Sequence, residues 1–220
     1  MDLESKWGAI VNCVADLLGP SVEVVLHDVS RPERSIIMIR NGHVTGRTLG
    51  APLTDLGFYM LRESEHKIET LGTYRSKTDD GKLLQCNAAN LRDAHGKIEA
   101  ILCINIDVSE DGKQVNNQRP ITPAEHYQTN IDQVIETMIS DARHTVNGSL
   151  NRDLKSELVR AMDSRGVFLA RGSVRKVASA LEIAVPTIYK YIQLARQDRA
   201  TARTKARSER TPESRPKAPK

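Results

Sequence analysis

The chain has 220 residues and a formal net charge of +4, which is long enough for one large domain or two small ones. Its charge is unevenly divided, because residues 1–150 sum to −6 and residues 151–220 sum to +10. No apolar run reaches the roughly 18 residues of a membrane span, and the charged start Met1-Asp2-Leu3-Glu4 is unlike a secretory signal. We therefore expect a cytoplasmic protein without a membrane segment. Its basic C-terminal part either binds a polyanion or is a solvated tail.

The three cysteines are Cys13, Cys86 and Cys103, an odd number at wide spacings without a Cys-x-x-Cys pair. This spacing does not fit a zinc site, so we expect reduced, structural thiols. A redox pair of Cys86 with Cys103 is the alternative.

The first 110 residues predict a small α+β domain. Residues 3–18 have apolar side chains at helical spacing, and Gly19-Pro20 end the pattern. β-rich runs follow at 22–26, 35–39, around Tyr74, 83–91 and 98–108, with a helical segment at 54–65 between the second and third. The last two runs predict a hairpin through residues 92–97. This order is typical of an antiparallel sheet with helices packed mainly on one face.

A polar, aperiodic stretch at 109–120 indicates a linker. Residues 122–125 (TPAE) then read as a capping box with proline at the first helical position, which predicts a helix to about Val146. A lone helix cannot keep its apolar stripe in water, so the stripe packs on the first domain, on the C-terminal domain, or on a second copy of the chain. The homodimer is the partner we expect. The stripe consists of Ile131, Val134, Ile135, Met138 and Ile139.

A further helix, capped by Asn151 and ended by Arg165-Gly166, should carry Leu154, Leu158 and Met162 inward. The tail at 197–220 is rich in Arg, Lys, Ala, Ser, Thr and Pro, and we expect it to be disordered until it meets an anion.

Residues 173–195 have the pattern of a helix-turn-helix, in which two short helices bury the corner between them. Ala178 fits the close crossing, and the positions expected to face inward are Val177, Leu181, Ile183, Ile188 and Tyr191 or Ile192. The segment resembles the bacterial pattern VAxxLGVSxxTVYKYL, with Glu182 in place of the turn glycine and Ala184 in place of the serine cap. The first change removes a residue that easily adopts positive φ, and the second removes a side-chain cap of the next helix, so both make the turn less favourable.

In such a motif the second helix enters the major groove of double-stranded DNA with its N-terminal half. The solvent-facing candidates for contact with the DNA are Pro186, Thr187, Tyr189 and Lys190. The candidates for backbone phosphates are Ser173, Arg175 and Lys176.

The segments 24–28 (VVLHD), 41–47 (NGHVTGR), 52–55 (PLTD) and 103–109 (CINIDVS) closely resemble the YheO-like PAS domain. That family couples its sensor to a C-terminal helix-turn-helix, as in the DauR-like repressors of D-arginine utilisation. The resemblance covers about residues 5–110 and 150–195 and implies a PAS-like sensor followed by a helix-turn-helix. Together with the patterns above, it leads us to expect a PAS-like sensor at 1–110, a linker with a dimerisation helix at 111–148, a helix-turn-helix domain at 149–196 and a basic tail at 197–220. It also implies operator binding, often as a repressor.

Polar residues at strand ends and turns could hold a small metabolite such as an amino acid. These candidates are His27, Asp28, Asn41, His43, Arg47, Asn105 and Asp107. Each also has a structural role open to it, such as closing a turn or a strand end. The sequence carries no phosphate loop, haem motif or metal-ligand spacing, so we expect no cofactor and no metal.

An enzyme is the competing class, since His27-Asp28 and His43 could form an acid and base set. Nothing else in the sequence supports such chemistry, and we expect no enzyme. The remaining alternative is a ligand-binding or protein-docking module that does not bind specific DNA.

Overall fold

The computed structural model describes residues 2–62, 69–109, 125–144 and 152–209, with side chains described from 153 to 201 in the last range. The helices are α1 (Leu3–Leu18), α2 (Asp55–Arg62), α3 (Ile131–His144), α4 (Arg152–Ser164), α5 (Ser173–Ala180) and α6 (Val185–Glu209). The strands are β1 (Val22–Asp28), β2 (Ile36–Arg40), β3 (Tyr74–Lys77), β4 (Leu83–Arg92) and β5 (Ile98–Asp107). None of the described helices is long and apolar enough to cross a membrane.

The strands form one antiparallel sheet in the order β2-β1-β5-β4-β3. The predicted order of helix, two strands, helix and three strands is confirmed, and so is the β4–β5 hairpin. Leu26 pairs with Leu102 and Glu23 with Asn105 across β1 and β5. The sequence therefore gives an α+β fold, as predicted.

The two faces of the sheet are both covered. On one face, Val22, Val24 and Leu26 pack against Val11 and Ala15 of α1. The opposite face carries the alternate residues of each strand, and α2 and the C-terminal helices cover it. The expectation of helices mainly on one face was wrong, because residues 22–26 form a nearly continuous apolar run, which requires burial on both sides.

Helix α3 begins at Ile131, eight residues after the first helical position that the capping box predicts. The Asn130 side chain caps it by accepting a hydrogen bond from the Asp132 N–H at 2.7 Å. Glu125 is not helical, because its carboxylate accepts hydrogen bonds from the tyrosine hydroxyls of the sensor instead. Residues 122–124 of that box lie outside the described residues, as do Val146 and Asn151.

The apolar stripe of α3 packs against other helices of the same chain. Val134, Ile135, Met138 and Ile139 are all buried in one core together with residues of α2, α4, α5 and α6. Of the three partners that the sequence left open for the stripe, the described residues show the C-terminal domain as its partner within one chain. The homodimer contact through α3 stays a prediction.

Helix α6 is longer than the helix-turn-helix pattern predicts, since it continues to Glu209. The expectation of disorder from residue 197 is corrected as far as 209. The Ala, Arg and Lys residues of this stretch have high helix propensity, which explains the continuation. Residues 210–220 lie outside the described part of the chain.

One hydrophobic core joins the sensor to the C-terminal helices. Phe58 and Met60 of α2 share it with Leu158 and Met162 of α4. At Gly166, with φ of 82°, a Cβ atom would lie 2.5 Å from the backbone oxygen of Phe58, so only glycine allows this approach. The C-terminal helices thus pack on the sensor through α2.

Candidate functional site

The helix-turn-helix is built as its pattern predicts. Val177, Ala178, Leu181 and Ile188 are buried at the corner of α5 and α6, as are Tyr191 and Ile192, and Ile183 packs against them from the turn. The inward-facing set deduced from the sequence is confirmed at every position.

The turn between the two helices departs from ideal chemistry at Glu182, which has φ of 52°. This left-handed conformation is costly for a residue with a Cβ atom. The Ile183 N–H donates to the Ala178 carbonyl at 3.0 Å, and the Thr187 N–H donates to the Ala184 carbonyl at 2.9 Å. Backbone hydrogen bonds and the buried corner therefore hold the turn without the glycine.

The N-terminal half of α6 presents a polar surface to solvent. Tyr189 is 58% exposed, Pro186 and Lys190 are exposed, and Thr187 is half-buried. These four candidates lie within two turns of one helix, next to the α5 corner. They form a surface that could enter a groove of DNA without rearrangement of the corner.

The three phosphate candidates on α5 differ from one another. Arg175 is exposed, but Ser173 is fully buried, so it cannot touch a phosphate in this conformation. Lys176 already pairs with Asp132 at 3.1 Å and with Glu136 at 3.5 Å on α3. Of this trio, Arg175 is the residue placed to meet an anion.

A buried carboxylate on α4 joins α2 of the sensor to α6. Asp163 of α4 is 1% exposed, and Arg62 of α2 donates to its Oδ2 at 2.8 Å. Arg196 of α6 donates to Oδ1 at 3.2 Å, and Arg199 lies 3.7 Å from Oδ2. Asp163 is therefore a single point through which α2 and α6 are linked by charge.

The seven ligand candidates divide into two groups. His27, Arg47 and Asn105 are buried in the interior of the sensor. His27 and Asn105 lie on the sheet face opposite α1, and Arg47 lies in the segment between β2 and α2. The other four serve local structure: Asp28 caps Ser30, Asp107 binds Ser109, Asn41 donates to two carbonyls, and His43 is exposed in a turn. Asp28 also lines an open surface groove of about 790 Å³ near the start of α1, outside the interior.

Residue Glu23 belongs to the interior site although the sequence did not mark it. It is fully buried and accepts hydrogen bonds from the Thr45 hydroxyl at 2.6 Å and from Asn105 Nδ2 at 2.9 Å. Burial raises the pKa of the Glu23 carboxyl, while these donors oppose the rise. A lone glutamate within the apolar run of β1 was the signal that could have revealed it.

Glu125 is the second interior carboxylate that sequence reasoning missed. Its Oε2 accepts from the Tyr74 hydroxyl at 2.7 Å and from Tyr127 at 2.9 Å, and its Oε1 accepts from Thr54 at 3.1 Å. Burial raises the pKa of Glu125, and burial next to this carboxylate also raises the pKa of Tyr74 and Tyr127. Both hydroxyls therefore stay protonated and act as donors.

Two of the three cysteines, Cys86 and Cys103, belong to the same interior, whereas Cys13 on α1 is exposed. Cys86 lies 3.3 Å from the Tyr127 hydroxyl oxygen, and since that hydroxyl donates to Glu125, the thiol is left to donate to it. Burial raises the pKa of both Cys86 and Cys103, and neither is in a disulfide. Protonated thiols are poor nucleophiles, which agrees with the structural role predicted.

The buried basic groups of the interior are His27 and Arg47. Nδ1 of His27 lies 2.8 Å from Ser35 Oγ, and burial together with nearby Arg47 holds the pKa of His27 well below its usual value. Neither Asp28 nor His43 shares a hydrogen bond with His27, so the acid and base set imagined for an enzyme does not assemble here.

One described group could offer several metal ligands: atoms of Asp55, His126 and Asp141 lie within 4.8 Å of one another. His126 Nδ1 lies 2.7 Å from Asp55 Oδ2, which raises the pKa of the imidazole. Arg165 lies 3.6 Å from Asp141. These charges balance each other as an ion-pair network that joins α2 and α3 to the residues before α3 and after α4.

Comparison with known proteins agrees with this two-part structure. Residues 3–118 match the family model of the YheO-like PAS domain, and residues 130–193, which include α3, match that of an HTH domain. An uncharacterized protein of Haemophilus influenzae is 28% identical, over 88% of this chain and 91% of its own length. The uncharacterized protein YheO of Escherichia coli K12 is 26% identical, over 87% and 84%.

The transcriptional regulator DauR of Pseudomonas aeruginosa is 27% identical, over 86% of this chain and 92% of its own length. The match to the PAS model spans more than half of the 220 residues and coincides with the sheet, α1 and α2. The chain belongs to the YheO-like PAS domain family, and it carries a C-terminal helix-turn-helix domain.

Proposed function

We propose that the chain is a DNA-binding transcriptional regulator and not an enzyme, in which the PAS-like sensor controls operator binding by α5 and α6. The observation that carries this proposal is the exposed surface of Pro186, Thr187, Tyr189 and Lys190 on a correctly packed helix-turn-helix. The +10 charge of residues 151–220 supports it, because Lys and Arg side chains bind phosphates by releasing counterions. The likeness to the regulator DauR agrees with it.

The sensor half supplies the regulatory input of this proposal. A buried polar interior is suited to a small metabolite such as an amino acid, and α2 packs in the hydrophobic core that the sheet shares with the C-terminal helices. A shift of α2 would reach α6 through the shared core and through Arg62 and Asp163. For the sign of regulation, we take the repressor role of the family that the sequence resembles.

The functional unit of the proposal is a homodimer in the cytoplasm. Two reading heads would meet successive major grooves about 34 Å apart. Because the α3 stripe is buried within one chain, the contact between two copies must use another surface or a different arrangement of α3.

The experiment that tests this function is the salt dependence of binding to duplex DNA from the upstream region of the gene, measured by fluorescence anisotropy. For six to ten phosphate contacts, affinity should fall by roughly 10³ to 10⁵ between 50 and 200 mM salt. A shuffled duplex of the same length is the control and should bind more weakly at every salt concentration. Equal binding to both duplexes, or no binding at low salt, would instead favour a ligand-binding or docking module without specific DNA binding.

A further inference from the structure

The solvent-facing side of α6 extends beyond the four residues that the sequence marks for contact with DNA. α6 is one continuous helix of 25 residues, so successive side chains are rotated by roughly 100° around a single axis. At this spacing, Gln193 lies about 20° from the direction of Pro186 and between the directions of Tyr189 and Lys190. Gln193 therefore shares the face that α6 would present to a groove of DNA.

Packing of the opposite side fixes the rotation of α6 about its axis. Ile188, Tyr191 and Ile192 are all buried in the core that α6 shares with α4 and α5. Gln193 is exposed, as is Tyr189 one turn before it. A rotation that hid Gln193 would bring buried apolar side chains into water, so the glutamine faces solvent while the corner stays packed.

The amide of Gln193 is available for an outside partner, unlike the charged groups of the next turn. Arg196 pairs with Asp163, and Asp198 pairs with Arg160. The side chain of Gln193 makes no hydrogen bond with any residue in the described part of the chain. Its donor and its acceptor lie side by side, which is the arrangement that complements N7 and N6 of adenine in the major groove.

The position of Gln193 along α6 is also compatible with base contact. A helix rises by about 1.5 Å per residue, so Gln193 lies roughly 4.5 Å beyond Lys190 and roughly 10 Å beyond Pro186. Since nucleotides of one strand are spaced by about 3.4 Å, the distance from Pro186 corresponds to about three base-pair steps. A helix that brings Lys190 to the DNA therefore brings Gln193 within reach of the next base pair.

We propose that Gln193 reads an adenine in the major groove. Its Nε2 donates to N7 of the adenine, and its Oε1 accepts from the N6 amino group. This inference rests on the proposed operator binding and adds to it a residue and the base that this residue selects. It also requires α6 to lie along the groove, because a helix that enters end-on leaves Gln193 outside.

The experiment selects duplexes from a random library with the full chain and with Gln193→Ala, and then measures affinities by fluorescence anisotropy. We expect the unaltered chain to select an adenine at one position of each half-site that Gln193→Ala no longer restricts. Replacing this adenine in the duplex should lower the affinity of the unaltered chain about tenfold and that of Gln193→Ala less than about twofold.

Gln193→Arg tests the direction of the readout. An arginine at this position can make paired hydrogen bonds with O6 and N7 of guanine, so the preference should change from adenine to guanine at this position alone. A side chain that only stabilised the fold would not change the preference for one base. Gln133→Ala, at an exposed glutamine of α3, is the matched control and should keep the affinity within about twofold.

Identical base preferences in the unaltered chain and Gln193→Ala would overturn this inference while leaving operator binding intact. An equal loss of affinity for every duplex would overturn it as well, because it would indicate a contact with the DNA backbone. An unaltered chain that selects no sequence would reject the proposed function, and the adenine contact with it.

Discussion

The helix-turn-helix and the sensor interior are encoded in different ways. The buried corner of the helix-turn-helix is formed by about twenty consecutive residues. The polar residues of the sensor interior, Glu23, Arg47, Asn105 and Glu125, come from distant parts of the chain. The first depends on apolar packing that tolerates a poor turn. The second depends on satisfied and unsatisfied polar groups, so the two should respond differently to substitution.

The largest expected effect on stability is in the helix-turn-helix. Ile188→Ala removes a fully buried side chain from the corner and should lower the free energy of unfolding by about 2–5 kcal/mol. Leu194→Ala, at an exposed position of the same helix, is the control and should change it by less than about 0.5 kcal/mol. Urea denaturation measures both, and equal losses would show that the corner is not the packing centre of this half.

The second-largest loss of stability should come from the charged contact at Asp163, which links α2 to α6. Asp163→Asn removes the charge that Arg62, Arg196 and Arg199 share, and should cost about 2–3 kcal/mol, less than a fully buried pair because Arg196 is half exposed. Asp198→Asn breaks an exposed pair with Arg160 and should cost under about 1 kcal/mol. A Tm for Asp163→Asn equal to that of Asp198→Asn would contradict the coupling role.

The strained turn gives a smaller effect of opposite sign. Glu182→Gly removes the Cβ penalty at φ of 52° and should stabilise the chain by about 1 kcal/mol. Glu157→Gly, at an exposed position inside α4, should destabilise it by roughly 0.5–1 kcal/mol. A loss of stability in both variants would show that Glu182 makes a contact worth more than its strain.

The smallest effect is a pH dependence at the boundary between the regions. The hydrogen bond to Asp55 raises the pKa of His126, so its contribution is fully present below about pH 6.5, the value for unfolded histidine, and is lost as pH rises through the folded pKa. About a third of the His126 side chain is exposed while Asp55 is buried, and at this partly solvated position the pair should be worth under about 1 kcal/mol.

The stability difference between the unaltered chain and His126→Gln should therefore shrink between about pH 6 and pH 9. Taking the difference removes the opposite contribution of His27, whose depressed pKa costs stability as the solution becomes acidic. A constant difference across this range would contradict the ion pair.

The sequence predicted features that depend on neighbouring residues better than contacts between residues that are far apart in the chain. Every inward position of the helix-turn-helix and the order of strands followed from periodicity, because both depend on neighbouring residues. Of seven ligand candidates, His27, Arg47 and Asn105 reached the interior. The TPAE pattern predicted Glu125 as a helix-capping residue. Its carboxylate instead binds Tyr74 on β3 and Tyr127 beyond the linker, and no local pattern reveals these hydrogen bonds.

The central claim is that the exposed N-terminal half of α6 reads DNA. The direct measurement is the affinity of Lys190→Ala and Tyr189→Ala for a duplex that the unaltered chain selects from a random library. Each should lose about tenfold or more in affinity with Tm unchanged, whereas Lys77→Ala, which removes the same charge from an exposed position on β3, should stay within about twofold. Unchanged affinity in both α6 variants would contradict the assignment.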